Sequence, residues 1–203
     1  MKLFYAPGTC SLAPIILAEW LNIDIELVRV NHREPSDEYL AINPLGAVPA
    51  LQLDDGTVAT QVDAILQYLA QGTELAGSDD KTEQLQFHRW VAFLTGDYHP
   101  PFGGWFNPRR FTTDHEDAAL DAVKAGLEQR IRTVADVLEE QVGESTHIAL
   151  GRRTLLDAYA YAMLRWLRKF DGGMEPWPGL SRFMSIMEDD AGVRNALDRE
   201  KRG

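Results

Sequence analysis

Cysteine is almost missing from this chain: Cys10 is the one thiol in 203 residues. A single thiol excludes an intramolecular disulfide and a four-cysteine metal site. Basic residues are few, 20 Lys and Arg against 31 Asp and Glu, for a formal net charge of −11. That sign disfavours nucleic acid and an anionic membrane as partners. A local basic pair such as Arg109-Arg110 reads as solvated surface or as a place for a small anion. No apolar run approaches 18 uncharged residues, so no transmembrane helix is expected. The N-terminus does not read as a signal peptide, because a strand begins at Lys2 and Glu19 interrupts the apolar run after Ser11. Repeats and low-complexity tracts are lacking. What remains is a soluble, cytoplasmic protein of a reducing compartment. Its 45% apolar content suits one large domain or two small ones.

The pattern along the chain changes near residue 71. Before it, strands are expected at 2–5 and 23–30, helices at 12–21 and 36–43, a hairpin around Asp54-Asp55-Gly56 over 50–60, and a helix at 63–70. The order is β-α-β-α-β-β-α. The stretch QGTELAGSDDKTE, 71–83, is polar and glycine-bearing, as linkers are. No convincing strand follows it. Residues 82–98 carry Leu85, His88, Val91, Leu94 and Tyr98 at steps of three and four. Residues 114–143 place Leu120, Val123, Leu127, Ile131, Val134 and Leu138 on one face. The segment 154–170 is apolar nearly all round and reads as a buried central helix. Two short helices close the chain.

Cys10 sits in YAPGTCSLAPIIL, between the turn residues Pro7, Gly8 and Thr9 and a helix that Ser11 is placed to cap. A lone cysteine often packs as a small hydrophobe. At a helix start, however, unpaired N–H groups and the helix dipole favour the thiolate. The second informative stretch is NPLGAVPALQL. Val48-Pro49 precedes a strand, where proline is tolerated. A trans bond makes an ordinary strand start. A cis bond turns the backbone of Val48 outward, able to pair with an extended peptide-like ligand.

Several segments then share a resemblance. MKLFYAPGTCSLAP, INPLGAVPAL, AILQYLA, WVAFLTGDYHPPF and TLLDAYAYAMLRW resemble bacterial glutathione transferases, the beta class in particular. The resemblance runs from end to end. It implies an α/β plus all-α fold: a thioredoxin-like glutathione-binding domain over 1–75, a linker over 71–81, and a helical-bundle domain over 82–203. It implies glutathione as cosubstrate, a cis Pro49 whose neighbour Val48 pairs with the ligand, and a homodimer. At the glutathione-binding start of the next helix, Gln61 and Val62 stand where the family usually has Glu-Ser or Glu-Gly, and Asp63 adds a charge that attracts the glutathione amine but repels its carboxylates. Asp97 falls where the class reaches across the dimer to the γ-glutamyl amine. Thr154 and Asp157 match its Thr-x-x-Asp capping box.

One thiol on such a scaffold needs a second from outside, and glutathione supplies it. Thiolate attack by Cys10 makes a mixed disulfide. Ser11 is the best candidate among Tyr5, Thr9 and Ser11 for a hydroxyl that activates bound glutathione instead. His99, before Pro100-Pro101 where its helix is expected to end or kink, can hydrogen-bond a ligand or polarise a thiol. Phe102, Trp105, Phe106 and Trp166 are candidates for an apolar cosubstrate pocket, and His32 and Arg33 for the glycine carboxylate of glutathione. No metal is expected. The reading is a glutathione-dependent transferase or thiol reductase acting on a small hydrophobic electrophile or a disulfide. The alternative is a non-catalytic ligand-binding or regulatory protein of this fold. Gln61 and Val62 favour that alternative, through weakened glutathione affinity.

Overall fold

In the computed structural model, which describes residues 1–202, the sheet is built around the first strand. β1 (Lys2–Tyr5) lies parallel to β2 (Glu26–Arg29) and antiparallel to β3 (Ala50–Gln52), which pairs with β4 (Val58–Thr60). The order is β2-β1-β3-β4. The parallel pair needs a crossover, and α1 (Leu12–Leu21) supplies it. β2 is shorter than the expected 23–30. β1 has four residues to pair with, Lys2↔Glu26 to Tyr5↔Arg29, and Asn22 closes α1 in a left-handed conformation just upstream. α2 (Asp37–Ile42) begins at Ser36, whose hydroxyl accepts the Tyr39 N–H, and Tyr39 packs on Phe4. α3 (Val62–Ala70) follows the hairpin.

A short 3₁₀ turn, Glu74–Ala76, leads to α4 (Lys81–Phe93), which starts at an Asp80 cap. Of the expected stripe, Val91, Leu94 and Tyr98 are buried, but Leu85 is 65% exposed and His88 is exposed too. Phe87 and Trp90 are buried in their place. Three successive steps of three drift by about half a turn at ~100° per residue, which carries Leu85 to the outer face. The helix does not end at the prolines. A π-helical turn, Leu94–Tyr98, joins α4 to α5 (His99–Phe106), whose first turn holds Pro100 and Pro101.

A 3₁₀ turn at Pro108–Arg110 precedes α6 (Asp117–Val142). Its expected face is buried at Ile131, Val134 and Leu138 and half-buried at Leu120, Val123 and Leu127. α7 (Leu155–Leu164) is buried at every position but shorter than the expected 154–170, where a 3₁₀ turn, Arg165–Lys169, takes over with Arg168 and Lys169 exposed. α8 (Pro178–Asp189) and α9 (Ala191–Arg202) complete the described chain. α1 packs against α3, α7 and α9, so one apolar core runs from the sheet into the helical half.

Candidate active site

A cavity of about 450 Å³ opens where these two halves meet. Cys10, Val48, Pro49 and the start of α3 line one side, and Thr95, His99 and Tyr159 the other.

The turn before α1 is held from both sides. Gly8, at φ +76°, donates its N–H to Glu200 Oε1 at 3.0 Å. Its carbonyl accepts from Trp166 Nε1 at 2.9 Å, and the Thr9 carbonyl accepts from Arg165 Nη2 at 3.4 Å. Inside the turn, Ser11 is fully buried. Its hydroxyl donates to the Ala6 carbonyl at 3.1 Å, accepts the Ala6 N–H at 3.2 Å, and lies 2.6 Å from Thr9 Oγ1. Two expectations are corrected here. Ser11 does not cap α1 through its side chain, and its hydroxyl does not line the cavity.

Cys10 is 7% exposed, and its Sγ donates to the Val48 carbonyl at 3.6 Å. Burial pushes the thiol up to about 12, against the lowering effect of its own backbone N–H. Desolvation here acts against the thiolate that the helix start favours. The Val48-Pro49 bond is cis. Asn43, buried, donates from Nδ2 to the Ala47 carbonyl at 2.8 Å, and Tyr39 donates to the same oxygen; together they brace the loop before Val48.

Gln61 leads into α3 at φ +72°, in the left-handed region that side chains seldom adopt, and it is exposed at the cavity edge. The branched side chain of Val62, which also borders the cavity, is 6% exposed and packs into the main core. Asp63 accepts from Gln67 Nε2 at 2.9 Å through one oxygen. The other is buried with no partner among the described residues, and burial raises the carboxyl above its usual range.

His99 stands 2.8 Å through Nδ1 from the Tyr159 hydroxyl, with the two rings near perpendicular at 80°. Burial lowers its pKa to about 4. Tyr159 was not anticipated. The signal was a tyrosine inside a helix apolar nearly all round, since a buried hydroxyl needs a partner.

The family model of the glutathione S-transferase N-terminal domain matches residues 9–71, and that of the C-terminal domain matches residues 108–190. Glutathione S-transferase GstA of Escherichia coli O157:H7 is 34% identical over 98% of each chain. The chain belongs to the glutathione S-transferase family. The structure is similar to a beta-class glutathione S-transferase of Sphingomonas chungbukensis, with a TM-score of 0.85 and 29% identity over 98% of each chain. It is similar also to a sphingomonad glutathione S-transferase complexed with glutathione, with a TM-score of 0.84 and 30% identity over all of both chains.

In this glutathione S-transferase the remaining expected residues divide. Phe102, Trp105, Phe106 and Trp166 do come together, with Trp166 5.0 Å from Phe102, 5.4 Å from Phe106 and 5.4 Å from the His99 ring. Trp105 joins through Phe106 at 5.2 Å. They form a packed cluster beside His99 and are not among the residues lining the cavity that holds Cys10. Phe102 is fully buried, and Trp166 is held by its bond to Gly8, whereas Phe106 is 43% exposed. His32 and Arg33 lie on the exposed loop after β2 and do not line the cavity either. Asp97 is exposed and ion-paired with Arg130 at 2.7 Å. Thr154 and Asp157 form the expected capping box. Among the described residues no cluster of His, Cys, Asp or Glu is placed to hold a metal, and no helix is long and apolar enough to cross a membrane.

Proposed function

We propose that the chain is a glutathione-dependent transferase or thiol reductase whose cavity holds glutathione with its sulfur between Cys10 and His99. The observation that carries this is the convergence of a thiol, a neutral imidazole and the Val48 carbonyl on one cavity. The glutathione complex of the sphingomonad relative supports the ligand. In thiol exchange, the Cys10 sulfur gives up its proton to solvent and attacks one sulfur of a disulfide. A new S–S bond forms to that half, the old one breaks, and the departing thiolate takes up a proton. His99, neutral above about pH 4, serves this step as a hydrogen-bond partner to sulfur. In conjugation, the glutathione sulfur itself attacks a small hydrophobic electrophile. Leu45, 71% exposed on the cavity rim, offers that cosubstrate an apolar edge. Incubation with glutathione disulfide followed by intact mass spectrometry tests the reading. One glutathione should add to the parent protein and none to Cys10→Ala.

The reading includes a homodimer. It is supported by the family resemblance and by Leu85, a large apolar side chain left exposed on α4. Sedimentation at micromolar concentration should give twice the chain mass, and a monomer mass overturns this part.

One observation favours the non-catalytic reading. The residues lining the cavity include no Lys or Arg, while Asp63 holds an unpartnered carboxylate oxygen there. Glutathione carries two carboxylates, so Asp63 opposes it unless the ligand amine meets that oxygen. Calorimetric titration separates the cases. Tighter glutathione binding by Asp63→Asn marks repulsion, and weaker binding marks an amine contact.

A further inference from the structure

We propose that Tyr159 is a positioning residue that holds His99 as its Nε2–H tautomer, so that His99 presents a hydrogen-bond donor, not a base, to sulfur in the cavity. The inference rests on the function proposed above and goes beyond it by fixing which nitrogen of His99 carries the proton.

The geometry is the starting point. The Tyr159 hydroxyl and His99 Nδ1 are 2.8 Å apart, and the two rings stand edge to face at 80°. Neither partner is free to turn away. Tyr159 is 1% exposed on a helix buried at every position, whose first turn is pinned by the Thr154–Asp157 box. His99 follows the π-helical turn directly and is packed against Trp166.

One hydrogen must lie between the two atoms, and either atom can own it. Suppose His99 carried it on Nδ1. The phenol oxygen would accept, and the hydroxyl hydrogen would need another acceptor. Among the described residues His99 is the one hydrogen-bond partner of the Tyr159 hydroxyl. A buried donor without an acceptor is disfavoured. Suppose instead that Tyr159 donates. Its hydrogen is then used, and the imidazole nitrogen, a better acceptor than a phenol oxygen, accepts it. The proton of the neutral ring is then on Nε2. Burial supports the same state, since it holds Tyr159 as the phenol and His99 as the uncharged ring.

Consequences for the chemistry follow. Nδ1 is taken, so Nε2 is the nitrogen His99 has left for the cavity that it lines. With a hydrogen on it, Nε2 can stabilise a thiolate on glutathione or on a departing thiol, but it cannot remove a proton from one.

The test reads the tautomer without turnover. In protein labelled with ¹⁵N-histidine, long-range proton–nitrogen spectra at pH 7, with His99 assigned by loss of its signals in His99→Gln, should show Nδ1 unprotonated and Nε2 protonated. Tyr159→Phe removes one oxygen and keeps the packing. It should release His99 into a mixture of tautomers. It should also lower kcat for glutathione disulfide exchange roughly 10- to 100-fold, as loss of a histidine-orienting partner does elsewhere. KM should stay within about twofold, since the contact acts on the developing charge. A proton on Nδ1 in the parent protein overturns the assignment. So does a Tyr159→Phe protein with unchanged tautomer and unchanged kcat. An Nε2–H tautomer in a parent protein with neither exchange nor conjugation activity overturns the functional reading and the role together, a result distinct from a misplaced proton.

Discussion

Cys10 is buried and His99 half-buried, and loss of water drives their titrations in opposite directions. The thiol is pushed up to about 12 and the imidazole down to about 4, because in each case the uncharged form is the one that tolerates loss of water. Alkylation of Cys10 by iodoacetamide should therefore be slow at pH 8 and still be rising at pH 10; a plateau by pH 8 would contradict the buried thiol. For His99 the sign follows from proton counting. Below about 6.5 the unfolded chain binds a proton there, while the folded one binds it only below about 4. Stability from this group is thus present above 6.5 and lost as the pH falls towards 4, by roughly 3 kcal/mol. Urea midpoints at pH 7 and pH 4.5 should differ less in His99→Gln than in the parent. At this scale the sequence singled out residues that the fold brings together, since Cys10, Val48, Gln61, Asp63 and His99 meet at one cavity. It did not show their states. Those depend on exposure, and exposure is set by α7 and the loop at Ala47, which are distant in the chain.

Each helix repeats a period that sequence can show, but the phase of that period can slip. α6 and α7 were legible because one stripe, or none, runs through them. The stripe expected over 82–98 failed at Leu85, and the π-helical turn at Leu94–Tyr98 was not anticipated. The prolines after His99 announced a break, whereas the backbone widens one turn and continues. The capping box of α7 was legible because Thr and Asp three residues apart interact locally. Its weight was not. Asp157 is fully buried and accepts the Thr154 N–H at 2.7 Å and, from outside the helix, the Ile148 N–H at 2.9 Å. Asp157→Ala leaves two buried donors unmet, so unfolding should become easier by about 3 kcal/mol, more than a lost cap alone. Because α7 carries Tyr159, the same variant should reduce glutathione turnover. A melting temperature within a degree of the parent would show that Ile148 and Thr154 find other acceptors.

The last helix of the molecule reaches back to its first turn. Glu200 on α9 accepts the Gly8 N–H at 3.0 Å and lies 3.5 Å from Arg165, and its own carbonyl accepts the Tyr5 hydroxyl at 3.2 Å. Arg165 in turn reaches the Thr9 carbonyl. The turn that carries Cys10 is thereby held by residues more than 150 positions away, a link that no local pattern in the sequence could show. Glu200 is 5% exposed, so its removal leaves Arg165 without a counter-charge in a largely dry place. Glu200→Ala should cost about 3 kcal/mol for that reason. It should also speed iodoacetamide alkylation of Cys10, because a turn released at Gly8 admits solvent to the thiol. Glu200→Gln keeps an acceptor for Gly8 and loses only the charge; it should melt below the parent yet alkylate at nearly the parent rate. Glu200→Ala combined with Arg165→Met removes the stranded charge and should recover part of the melting temperature but not the slow alkylation. This pattern separates charge balance, which sets stability, from the Gly8 hydrogen bond, which sets the position of Cys10. If all three variants alkylate at the parent rate, α9 stabilises the fold without positioning the thiol.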